Sequence, residues 1–66
     1  MEKTTHVEDR NFASVAEAVA YYRSKGFKTF DIGAGTNQRI MRNGDLEVMI
    51  THTGMLDVDA SLIRLS

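Results

Sequence analysis

The 66-residue chain has two imidazoles, His6 and His52, and they bear on different chemistries. A zinc ion takes three or four nitrogen, sulfur or carboxylate ligands. His52 with Asp57 and Asp59 supplies three groups of the right kind. The same two aspartates, however, alternate with Leu56, Val58, Ala60 and Leu62. That is the solvent side of a half-buried strand, where acids also discourage edge pairing. His6 falls in a polar stretch, with neither imidazole placed against a base or a nucleophile. The chain has no Cys, so it offers neither a thiolate ligand nor a disulfide. Ser24, Ser61 and Ser66 stand in no context that would activate a hydroxyl. No catalytic residue and no metal ligand is expected.

The string Phe30-Asp31-Ile32-Gly33-Ala34-Gly35-Thr36 sets an acid and two glycines behind a strand. It resembles the first motif of Rossmann-type methyltransferases, and the resemblance implies S-adenosylmethionine approached by the Gly-rich turn. The likeness covers seven residues and departs at Asn37, where that motif has a further Gly. Such a site also needs a helix opening behind the glycines and a parallel sheet around it. Here Gln38–Arg42 runs into Asn43-Gly44, the strongest short hairpin signal. The string lacks the third Gly of a dinucleotide loop and the Gly-Lys-Ser/Thr of a phosphate loop. No cofactor is expected, and Gly33 and Gly35 read as a strand connection.

A second resemblance is one of order. A helix, then Lys25-Gly26-Phe27, a strand, a Gly-containing loop, another strand and a later His is similar to the HicA toxins. These are small ribonucleases with a double-stranded-RNA-binding-like fold, and the likeness implies RNA as a partner. The family's catalytic His follows a Gly-Ser pair, whereas this chain has Gly35-Thr36-Asn37. The Val-Pro-His context of the family's later His is absent around His52. A ribonuclease reading therefore hangs on His52 alone.

Charge is distributed unevenly behind a net value of −1. Residues 1–20 carry two basic and four acidic groups, and residues 43–66 carry Arg64 against four acids. Between them Arg23, Lys25, Lys28, Arg39 and Arg42 stand against Asp31. A basic middle of this kind can contact nucleic acid or an acidic protein. The favoured reading of them is solvated residues at a helix end and on strand faces.

The elements that must position these groups begin with a helix over Ser14–Gly26. Ser14 and Glu17 have capping-box spacing. Val15, Ala18, Val19 and Tyr22 fall on one stripe at i, i+3, i+4 and i+7. Arg23 and Lys25 suit the last turn, Gly26 the left-handed stop, and Phe27 is placed to fold back onto that turn. Tyr21 lies about 100° from Tyr22, at the flank of the stripe. Ahead of the helix, Met1–Asn11 reads as an arm, or at most a short edge strand at Thr4–Val7, with Phe12 as its anchor. Residues 12–66 read as one domain.

After the helix, Phe27–Ile32 is a strand candidate with Phe30 and Ile32 on one face. Gln38–Arg42 and Leu46–Thr51 flank the Asn43-Gly44 turn. A two-residue turn pairs Arg42 with Asp45, Met41 with Leu46 and Arg39 with Val48. It buries Met41, Leu46, Val48 and Ile50 and leaves Ile40 and Met49 outside. A three-residue loop aligns Ile40 with Val48 and exchanges the faces. Alternation over Leu56–Leu62 breaks at Leu62-Ile63-Arg64-Leu65, as a bulge or a helical turn would make it.

The expected architecture is α+β, ordered α-β-β-β, an antiparallel meander with one helix across one face. Apolar residues at 42% and charged ones at 26% fit a globular core. Without staples a core this small favours added burial in a homodimer. No apolar run is long enough for a membrane span. The expectation is a cytoplasmic, non-enzymatic regulator or inhibitor that docks on a partner protein, a homodimer included. Its size and style are similar in class to proteins of mobile elements such as anti-CRISPR proteins. The residues expected at the contact are Tyr21, Arg23, Lys25, Lys28, Arg39, Ile40, Arg42 and Met49. Nucleic acid is the alternative partner, and no membrane contact is expected.

Overall fold

A computed structural model describes residues 4–32, 38–53 and 57–65. Its elements are β1 (Thr4–Phe12), α1 (Val15–Ser24), β2 (Lys28–Ile32), β3 (Gln38–Asn43), β4 (Leu46–His52) and β5 (Val58–Leu65). The strands form one antiparallel sheet in the order β1-β5-β4-β3-β2, with α1 packed over β4, β5 and β1. The α+β class stands, but the expected α-β-β-β count is corrected to five strands around one helix. Gln38–Asn43 is strand, so no helix follows the glycines directly. The Gly33–Asn37 connection itself lies outside the described residues.

Helix α1 forms for the reasons its sequence states. Ser14 is extended (φ −151°, ψ 160°), and its Oγ accepts from the Glu17 N–H at 3.1 Å. Ala18 and Tyr22 are buried, with Val15 and Val19 packed against the core beside them. At the far end the Phe27 N–H donates to the Tyr22 carbonyl (3.0 Å) and the Gly26 N–H to that of Arg23 (3.1 Å). These are the two crossed bonds of a Schellman stop, and they require the positive φ of Gly26, +96°. The apolar contact that accompanies the motif is Phe27 edge-on to Tyr22, centroids 5.3 Å apart. Replacing Ser14 by Ala orphans the Glu17 N–H. That change is expected to cost about 1 kcal/mol in urea unfolding, with the unfolding slope unchanged.

Alternation in the strands builds the other half of the core. Met41, Val48, Ile50, Val58, Ala60 and Leu62 turn towards the helix and are buried. The hairpin between β3 and β4 pairs Asn43 with Leu46, Met41 with Val48 and Arg39 with Ile50. The turn residues are thus Gly44 (φ +63°) and Asp45, one position later than expected. Asn43 is kept in the strand because its Nδ2 donates to the Lys25 carbonyl at 3.3 Å, where α1 ends. The slip from the expected register is two residues. A slip of two preserves side-chain faces, so Met41, Val48 and Ile50 still point inward.

The segment read as an arm or a short edge strand at Thr4–Val7 is a strand of nine residues. It pairs with β5 from Thr4 opposite Leu65 to Phe12 opposite Val58, with a bulge between His6 and Glu8. The Asn11 amide also donates to the Asp59 carboxylate. The C-terminal segment, where alternation breaks, is strand through Leu65 rather than a helical turn.

Candidate functional site

Because side chains alternate, the residues between the core positions form a second, helix-free face. The register sets them in rows across the strands. One row runs Lys28, Arg42, Glu47, Ile63 and His6; the next places Ile40 opposite Met49 and Ser61 opposite Asp9. A third runs Gln38, Thr51, Asp59 and Asn11. Leu65 extends the face beyond Ile63, opposite Thr4. Met49 is 39% exposed, and Ile40, Ile63 and Leu65 are half-buried. Directly opposed and diagonal side chains touch on a sheet surface, so these four form one apolar strip. Phe30 joins it: the β2 strand bulges between Thr29 and Asp31, and the Arg42 guanidinium lies over the Phe30 ring at 3.9 Å. Phe30 is 58% exposed, although sequence alternation alone would set it inward.

Charges frame this strip unequally. On the β2–β3 side stand Lys28 and Arg42, with the Arg42 Nε 2.7 Å from Glu47 Oε2. On the β5–β1 side stand Asp59 and Asp9. The His6 Nε2, 2.9 Å from Asp9 Oδ1, holds that carboxyl below its ordinary range. Both acids are exposed.

The residues expected at the contact fall into separate groups. Lys28, Ile40, Arg42 and Met49 come together on the helix-free face. Arg39 is in register with buried Ile50 on the opposite face, and its Nη1 donates to the Gln38 carbonyl at 3.1 Å. Arg23 is exposed at the end of α1. Tyr21 is half-buried between Phe12 and Tyr22, with centroid distances of 5.5 and 5.0 Å. Cations flank its ring: Arg10 at 5.0 Å and Lys25 Nζ at 5.4 Å. The basic middle of the sequence is therefore divided among a helix end and two sheet faces. Ile63, Leu65 and Phe30 were not among the expected contacts. The signal for the first two was the broken alternation at Leu62-Ile63-Arg64-Leu65, which is what a strand apolar on both faces produces.

The remaining chemical groups are also placed. His52 is in register with Val58 and Asp59 with Thr51, so the imidazole and that carboxylate leave the sheet on opposite sides. Among the described residues no group of three or more His, Asp or Glu side chains is close enough to share a metal ion. No pocket forms among them, and none of their helices is long and apolar enough to cross a membrane. No protein-family model, curated protein or solved structure matches the chain.

Proposed function

We propose that the protein is a non-enzymatic interaction module, a regulator or inhibitor that docks its helix-free sheet face on a partner protein. The observation that carries this reading is the strip of Ile40, Met49, Ile63 and Leu65 with Phe30 at its border. Surface apolar residues scattered singly need no explanation, but a contiguous patch rimmed by charge marks an interaction surface. The polar rim of Lys28, Arg42, Glu47, Asp9 and Asp59 supplies the orientation that an apolar centre lacks.

Nucleic acid is the poorer partner for this face. Among the described residues its only cations are Lys28, Arg42 and, when protonated, His6. Arg42 is already matched by Glu47, while Asp9 and Asp59 repel phosphate. Photo-cross-linking residues at positions 49 and 63 are expected to capture protein, and one at position 17 on the exposed side of α1 is not. Equal capture from positions 17 and 49 contradicts the docking face. RNA or DNA retained at low salt and released steeply as salt rises would instead favour the nucleic-acid reading.

A further inference from the structure

We infer that Asn43 is a self-modification site: its side-chain amide is lost by ring closure onto the Gly44 backbone nitrogen, and the fold restrains that loss by holding the same amide at the end of α1. The inference does not rest on the docking reading. Asn43 shares the parity of Met41 and Arg39 and lies on the helix side of β3, away from the apolar strip.

The sequence supplies the reactive pair. Of the asparagines, Asn11, Asn37 and Asn43, only Asn43 is followed by glycine. The Gly44 nitrogen gives its proton to hydroxide and bonds to the Asn43 Cγ. The Cγ–Nδ2 bond breaks, and Nδ2 leaves as ammonia once water has protonated it. One water then opens the five-membered succinimide. Opening at Cγ gives aspartate, and opening at the main-chain carbonyl gives isoaspartate, whose backbone is one carbon longer. Nothing is oxidised or reduced, and water is the only co-reactant. A Cβ on the second residue would crowd the attacking nitrogen, and glycine has none. Asn43 and Gly44 are both exposed, and a Cβ placed on Gly44 meets nothing within 4 Å beyond its chain neighbours, so water reaches the turn.

The structure supplies the restraint. Asn43 ends β3 as a strand residue opposite Leu46. Ring closure needs the Asn43 Cβ and the Gly44 nitrogen nearly eclipsed about the Cα–C bond, and the ψ of a strand holds them far from that. The side chain is held as well. Its Nδ2 donates to the Lys25 carbonyl at 3.3 Å and sits over Gly26, 3.4 Å from where a Cβ would be. The last pair of the β3–β4 ladder and the tie to α1 must both open before the ring can close.

The same tie makes the product a poor fit. Aspartate at this position has no amide hydrogen to donate. Its carboxylate faces the Lys25 carbonyl at the C-terminal end of α1, where the helix dipole is already negative. Isoaspartate also lengthens the backbone where β3 turns into β4. Each opening of the hairpin end thus exposes Asn43 to a change that prevents the same closure afterwards. An intact Asn43 marks a chain in which that end has stayed shut.

The test is to warm the full chain at mildly alkaline pH, with and without guanidinium chloride, and to follow each asparagine by peptide mass mapping. In the denaturant Asn43 is expected to lose ammonia at least tenfold faster than Asn11. Gly44→Ala, measured there so that folding plays no part, is expected to slow the loss at least tenfold. Without denaturant the loss at Asn43 is expected to be at least tenfold slower than with it. Asn43→Asp, which copies one product, is expected to raise the unfolding equilibrium constant at least threefold. Equal rates at Asn43 and Asn11 in denaturant, or no effect of Gly44→Ala, overturn the site. Equal rates at Asn43 with and without denaturant overturn the restraint, and an Asn43→Asp chain as stable as the wild type overturns the consequence drawn from the tie.

Discussion

Replacing Ile50 with alanine is expected to lower the unfolding free energy by about 2–5 kcal/mol, the usual cost of a buried Ile or Leu truncation. Ile50 has no solvent exposure and stands in the centre of the sheet, in register with Arg39 on one side and Ala60 on the other. Removing its branch leaves a void under α1. Ala60 is already small, and a neighbouring strand cannot move inward without breaking its ladder. A 66-residue domain holds roughly 3–10 kcal/mol in all. The loss is thus a large share of the total, and each kcal/mol is worth about 4–8 °C of melting temperature at this size. The comparison is Thr51→Ala, one residue along on the outer face, which is expected to stay within about 0.5 kcal/mol. Equal losses at the two positions would show that the inward face has been misassigned.

Tyr22 is expected to give effects of opposite sign according to what replaces it. Its ring is almost fully buried, edge-on to Phe12, Tyr21 and Phe27. Its hydroxyl is buried too, with no hydrogen-bond partner among the described residues. A buried hydroxyl without a partner costs about 1–3 kcal/mol, because it has left water and gained nothing in exchange. Tyr22→Phe keeps the ring and drops that cost, so a gain of about 1 kcal/mol is expected. Tyr22→Ala removes the ring as well, for a loss of about 3–5 kcal/mol. Titration adds an independent check. Burial first, and the nearby Glu8 second, raise the phenol above its ordinary 10.0. The unfolded chain therefore ionises first as pH rises. The stability this group confers is complete below about pH 10 and is lost as pH rises through the folded value. Wild type is expected to lose stability more steeply than Tyr22→Phe in that alkaline range. Parallel urea curves for the two proteins between pH 9 and 11 would count against the buried phenol.

Local signals carried α1 into the structure almost unchanged. Ser14, the Val15–Tyr22 stripe and the Gly26 stop are contacts among near neighbours, and such contacts are written in short windows of sequence. The sheet was legible to the extent that its inward residues alternate. Met41, Val48, Ile50, Val58, Ala60 and Leu62 could be assigned a face, because face depends only on parity. Register depends on a contact far away. The tie between Asn43 and the end of α1 decided it, and nothing near Asn43 announces that tie.

Strand β1 shows the same limit more sharply. Its helix-side residues Glu8 and Arg10 are polar, and Arg10 reaches over the Tyr21 ring, so no apolar alternation marks the strand. Its order comes from β5, nearly the whole chain away. For the contact surface, Ile40 and Met49 were legible from parity and Lys28 and Arg42 from charge. Ile63 and Leu65 were hidden by the habit of treating broken alternation as broken structure. Phe30 was hidden by a bulge that moves one ring from the core side to the outside.

The partnership of Thr4 with Leu65 also fixes when the sheet can be completed. On the ribosome β1 is made before β5 and waits for it, since β5 is its only neighbour in the sheet among the described residues. Until the residues of β5 emerge, the β5 flank of the meander has nothing to pair with, and the nascent chain must keep an incomplete edge from pairing with its neighbours. The polar, charge-rich character of β1 suits that interval: it can remain solvated until β5 has been made.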